Sequence, residues 1–79
     1  MARVLLFGPL RDLAGWRERQ IEAGSLSALR IALTELDADL GEAIGGAGVQ
    51  VAIDQAVVRG DAALTDGSEV AFLPPMSGG

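Results

Sequence analysis

Seventy-nine residues are enough for one domain around one hydrophobic core and leave no room for a second. With no cysteine and no histidine, neither disulfides nor a structural zinc site can staple so small a chain, and packing has to supply the stability. A net charge of −5, eleven acids against six arginines and no lysine, argues against nucleic acid, which needs a basic surface, and favours a partner with a basic face.

Arg3 to Phe7, "RVLLF", is a β-rich run ended by Gly8-Pro9. Arg17 to Ala23, "RERQIEA", follows a turn at Gly15 and predicts a second, more polar strand joined to the first by a long connection. Leu26, Leu29, Leu33, Leu36 and Leu40 then recur at intervals of 3, 4, 3 and 4, which predicts one helix with all five on one face. Ser25 is its N-cap, and Arg30, Glu35 and Asp39 take the opposite side. A leucine stripe of this kind is core. "GEAIGGAG", Gly41 to Gly48, predicts a fraying helix end and a flexible turn, and it lacks the lysine and Ser/Thr of a phosphate-binding loop.

Val49 to Ile53 alternates as a half-buried strand does, Ala56 to Val58 is a brief strand, and Thr65 to Gly67 is a turn. In the last strand, Ser68 to Leu73, Val70 and Phe72 point one way and Ala71 and Leu73 the other. Pro74 has no N–H to donate and ends the pairing. Strand, strand, helix, strand, strand, strand predicts an α+β fold in two layers, one main helix on one face of a small mixed sheet. The first and last strands lie parallel and central if the helical segment crosses over between them, which is the β-grasp arrangement of ubiquitin. The predicted domain covers 1–73, and 74–79 is a flexible tail ending in Gly-Gly.

The chain lacks Cys, His, Lys and Tyr, the usual nucleophiles and bases near neutral pH. Its serines have no base to activate them, and its acids are scattered, with Asp37 and Asp39 at a solvated helix end. The sequence therefore offers no catalytic side chain, no metal site and no bound cofactor. One group remains, the α-carboxylate of Gly79. Pro74-Pro75 favours an extended, stiff exit, and Met76 to Gly79 add about 3.3 Å of reach per residue. Gly78 and Gly79 are slender enough to thread a narrow channel. A free carboxylate is a poor acyl donor, so it would need ATP to become an electrophile. If Val70 and Phe72 face the helix, Leu73 faces away from it, as Leu5 and Phe7 do by the same alternation. Phe7 and Leu73 then form an apolar patch beside the exit of the kind that marks an interaction surface.

"VLLFGPLRDLAG" (Val4 to Gly15) and "LTDGSEVAFLPPMSGG" (Leu64 to Gly79) resemble the opening and the ending of the small, sulfur-carrying subunits of molybdopterin synthase, a family of ubiquitin-like β-grasp carriers. The resemblance covers 3–16 and 49–79; the middle matches in pattern only. It implies that Gly79 is adenylated by a ubiquitin-activating-type enzyme using MgATP, converted to a thiocarboxylate, and inserted into the large synthase subunit. There it gives its sulfur to cyclic pyranopterin monophosphate, so the chain acts as the small subunit of a sulfurtransferase whose catalytic side chains belong to the partner. Gly78 is then the slender neighbour, and Phe7, Arg11, Val57, Leu73, Pro74, Pro75, Met76 and Ser77 meet partners, Arg11 through partner acids. Asp54 stands where the family commonly has a turn asparagine, a charge that bears on partner choice, and Met76 where it has a smaller branched residue. Two other readings share these residues: a thiamine-pathway sulfur carrier, which less often shows the double proline, and a ubiquitin-like protein modifier. No run reaches the roughly 20 apolar residues of a membrane span, and "MARVLLFG" is too short for a signal peptide. The expected setting is the cytoplasm.

Overall fold

Alternating burial along two strands lays out the molecule. A computed structural model describes residues 1–75. In β1 (Ala2–Leu6) the side chains of Ala2, Val4 and Leu6 are buried while Arg3 and Leu5 face the other way. In β5 (Glu69–Leu73) Val70 and Phe72 are fully buried between half-buried neighbours. The two strands pair in parallel, Val4 opposite Val70 and Leu6 opposite Phe72, so their buried residues share one face. β2 (Glu18–Ile21) adds antiparallel to β1, β3 (Gln50–Ile53) antiparallel to β5, and β4 (Ala56–Val58) antiparallel to β3. The sheet order is β2-β1-β5-β3-β4. This is the predicted β-grasp, with the first and last strands parallel inside a mixed sheet.

The helical layer differs from the expectation in two places. The connection between β1 and β2 holds a short helix, α1 (Pro9–Ala14), with Pro9 in its first turn and Gly15 in the left-handed conformation just past its end. The Gly15 N–H closes that end by donating to the Arg11 carbonyl at 2.9 Å. Leu10 is buried from this helix, and its exposed side carries Arg11 and Leu13.

The leucine stripe belongs to two helices. α2 (Leu26–Leu36) starts where the Ser25 hydroxyl accepts the Ala28 N–H, and α3 (Ala38–Ile44) starts where the Asp37 carboxylate accepts the Leu40 N–H. Asp37 is extended, with φ −155° and ψ 103°, and its N–H still donates to the Leu33 carbonyl, so one residue both ends α2 and begins α3. The break rotates the stripe. Leu26, Leu29 and Leu33 stay buried, Leu36 is left 46% exposed, and Leu40 and Ile44 return to the core from α3. Gly41 is not part of a flexible turn. It lies inside α3 against α2, where a Cβ would stand 2.2 Å from Thr34 Oγ1 and 2.7 Å from Thr34 Cα.

Both helices cover the same sheet face and close a core of Val4, Leu6, Leu29, Leu33, Leu40, Val70 and Phe72, among others. Behind Phe72 the Arg30 guanidinium lies 5.7 Å from the ring centroid and donates to the Ile44 carbonyl at 3.3 Å, joining α2 to the last turn of α3. No buried side-chain nitrogen or oxygen among the described residues lacks a partner.

Candidate functional site

The second sheet face carries no helix. Strand pairing sets Glu18, Leu5, Ala71, Ala52 and Val57 in one row across all five strands. Directly paired residues share a face, so the middle of this row is a continuous apolar band. Val57, at one end, is 57% exposed. Arg3 stands one step down β1, toward the end of β5 away from the tail, and pairs with Glu69 across the strands and with Glu18 at 4.0 Å. These two carboxylates hold its guanidinium pKa above the usual arginine value, first through the Glu69 hydrogen bond. The open face is thus polar and self-paired at one end and apolar toward the other.

The apolar end is the tail end. Continuing the β1–β5 register by one residue sets Phe7 beside Leu73, the last residue of β5. Phe7 is 45% exposed and Leu73 half-buried. Phe7 also borders an open hollow of about 260 Å³ shared with Leu5, Arg11, Arg17 and Glu18. The fold therefore sets Phe7 beside Leu73 where the chain leaves the sheet and Arg11 in one hollow with Phe7, with Val57 on the same face two strands from β5. Arg17 joins this group and was not singled out in the sequence, where it reads only as a charge on a polar strand. Pro74 is half-buried and Pro75 exposed. Met76, Ser77, Gly78 and Gly79 lie outside the described residues.

Two glycines that the sequence marks only as punctuation also stand at the exit. Gly8 (φ 57°) and Gly48 (φ 84°) each lie against a ring of the double proline. A Cβ on Gly8 would be 3.3 Å from Pro74 Cγ, and one on Gly48 would be 3.0 Å from Pro75 Cβ. Nothing in a one-dimensional pattern separates these glycines from Gly60 or Gly67, which have the same sign of φ and open space around them.

The described residues offer this face no chemistry of their own. Among them no three carboxylates gather as metal ligands, and the face itself presents aliphatic, aromatic and guanidinium groups, with the Glu18 and Glu69 carboxylates turned to Arg3. It can bind a surface, and it can direct the segment that follows Pro75.

The model of the ThiS family matches residues 4–79 of the chain, nearly all of it. The chain belongs to the ThiS family. Within it the chain is 35% identical to the molybdopterin synthase sulfur carrier subunit of Escherichia coli (strain K12), covering 100% of both chains. Among solved structures it is similar to the small archaeal modifier protein 1 of Methanosarcina acetivorans (26% identity, TM-score 0.88, 99% of this chain and 95% of that one). It is also similar to a chain in the complex of subunits 1 and 2 of the molybdopterin-converting factor from Helicobacter pylori (28%, TM-score 0.74, 99% and 97%). This ThiS-family chain therefore keeps the β-grasp frame of its relatives over its whole length.

Proposed function

We propose that the protein is the sulfur-carrying small subunit of a molybdopterin synthase. The observation that carries this is the full-length 35% identity to the Escherichia coli sulfur carrier subunit. The open apolar face beside the tail exit supports it, because a carrier without catalytic side chains has to dock on proteins that have them. The Helicobacter pylori complex of two subunits supports a large-subunit partner for this face.

In this function the chain supplies one reacting atom and a handle. The Gly79 carboxylate attacks the α-phosphorus of MgATP in an adenylating enzyme of the ubiquitin-activating type, and pyrophosphate leaves. A sulfur donor then displaces AMP from the acyl adenylate to give the thiocarboxylate. In the large subunit that sulfur passes to cyclic pyranopterin monophosphate, and the glycine returns to a carboxylate. MgATP belongs to the adenylating enzyme, and this chain holds no cofactor. Phe7, Leu73 and Val57 dock the domain, Arg11 meets partner acids, and Pro74-Pro75 carries Met76, Ser77 and Gly78 into the partner's channel. The setting is the cytoplasm, where the partners and ATP are found together.

The test is the intact mass of the chain after incubation with an adenylating enzyme, MgATP and a sulfur donor. An oxygen-for-sulfur gain in the wild type, absent when Gly79 is deleted, is expected. No gain with an enzyme active on its own carrier would overturn the proposal. The similarity to an archaeal modifier protein favours one second reading, conjugation to partner lysines. That reading predicts isopeptide adducts in place of a thiocarboxylate.

A further inference from the structure

The double proline leaves the sheet between its two neighbouring strands. β5 lies between β1 and β3 in the sheet. Gly8 follows the end of β1 by two residues and Gly48 precedes the start of β3 by two, so the glycines stand on opposite sides of the β5 exit. Pro74 rests on the first and Pro75 on the second. A Cβ on Gly48 would meet Pro75 Cβ at 3.0 Å, Cγ at 3.3 Å and Cα at 3.7 Å, so the Pro75 ring would have to give way by a few tenths of an ångström. Three other glycines with positive φ, Gly15, Gly60 and Gly67, would meet nothing within 4 Å. Their glycines answer to backbone conformation alone, whereas those at 8 and 48 answer to the prolines as well.

We propose that Gly8 and Gly48 form a slot that grips the Pro74 and Pro75 rings and sets the direction in which the chain leaves the domain. Both are then positioning residues for the chemistry at the chain's end, an inference whose functional consequence rests on the sulfur-carrier reading above. Proline fixes its own φ near −65° and holds the preceding residue extended. Two prolines in sequence are therefore stiff within themselves, but they can still swing as a unit about the end of β5. Backbone pressed against one ring on each side removes that swing. The cradle is built from backbone because a side chain on either glycine would press on a ring, and the direction it fixes is the one in which the chain passes Pro75. Misplacing a reacting group by about 1 Å costs on the order of 10²-fold in rate, so aim at the base of the tail matters at its tip.

The test compares Gly48→Ala with Gly60→Ala in the full-length chain. Both carry a left-handed alanine, at φ 84° and 76°, and only the first pushes on Pro75. Pro75→Gly approaches the slot from the other side, leaves both glycine turns intact, and serves if Gly48→Ala does not fold. Direction is read from a nitroxide on Gln50→Cys, a unique thiol because the chain has no cysteine, through relaxation enhancement of the Ser77 and Gly78 amides. Gly48→Ala and Pro75→Gly should change the enhancement pattern, and Gly60→Ala should keep the wild-type pattern. Function is read as single-turnover sulfur transfer from the thiocarboxylated chain at saturating large subunit. Gly48→Ala is expected to slow this about 10²-fold with the dissociation constant of the complex unchanged, while Gly60→Ala transfers as wild type does. Equal effects of Gly48→Ala and Gly60→Ala, or an unchanged pattern in Pro75→Gly, would overturn the slot. If the wild type transfers no sulfur, the sulfur-carrier reading fails, and the relaxation pattern still decides the slot by itself.

Discussion

Asp54 and Gln55 join β3 to β4 with φ of 51° and 72°, the pair of positive angles that a two-residue type I′ turn requires. Aspartate tolerates this conformation well, and glutamine adopts it at a cost in strain. Gln55→Gly should therefore stabilise the fold by about 1 kcal/mol, seen as a higher urea midpoint at unchanged m-value. Asp54 has a further role inside the chain. Its carboxylate accepts the Glu69 N–H at 3.0 Å and its N–H donates to the Glu69 carbonyl at 2.8 Å, pinning the start of β5. Its charge thus sits at the opposite end of β5 from the tail exit, away from the docking face's apolar end. Asp61 likewise fastens a loop to a helix. It accepts the Ser27 N–H at 2.8 Å, the Ser27 hydroxyl at 2.9 Å and its neighbour Ala62 N–H at 2.9 Å. These bonds, the Ser27 N–H first, hold its pKa below the ordinary carboxylate value. A lowered folded pKa contributes stability above the unfolded pKa and loses it as pH falls through the folded one. Asp61→Asn should lower stability at neutral pH and flatten its decline in acid, measured as urea midpoints down through the carboxylate range.

At the scale of elements, the strands were legible and the helices less so. From Val4 and Val70 onward β1 and β5 are continuous apolar runs, so the two-residue period says which residues share a face. The burial of Val70 and Phe72 decides which face is core and leaves Phe7 and Leu73 to the open one. The stripe from Leu26 to Leu40 hides the break at Asp37, because an N-cap can fall inside an apolar repeat without disturbing its spacing. Only the exposure of Leu36 betrays it. The signal for α1 was present, with proline at the start and glycine past the end, but six residues carry too few apolar positions for periodicity to register. Gly41 was misread for a related reason: a glycine inside a glycine-rich stretch looks like a turn until a second helix is packed against it. Gly41→Ala should cost about 2 kcal/mol from overpacking on Thr34, measured by thermal unfolding, whereas Gly60→Ala pays backbone strain alone.

For the whole molecule, the net charge of −5 does not describe the open sheet face by itself. Arg11 and Arg17 line the hollow beside Phe7, and neither makes an ion pair among the described residues. Two acids stand near them, Asp12 in a neighbouring hollow with both arginines and Glu18 in the hollow itself, 4.0 Å from Arg3. The proposed function expects a partner with an apolar centre and acidic groups near Arg11, and the net charge favours basic groups on it elsewhere. Phe7→Ala should weaken the complex with the large subunit by about 2 kcal/mol, read by calorimetry, with little change in unfolding temperature because the ring is already 45% exposed. On the proposed function, the sheet face docks the domain on its partner and the exit of β5 leads toward the end that is used. The measurement that tests this most directly is sulfur transfer from the chain carrying a synthetic Gly79 thiocarboxylate. It is mixed with the large subunit at two or more chains per cyclic pyranopterin monophosphate, because the dithiolene takes two sulfurs, and the molybdopterin formed is quantified. A sulfur carrier of molybdopterin synthase yields molybdopterin with loss of the thiocarboxylate. No product from a large subunit that works with its own carrier would contradict the account.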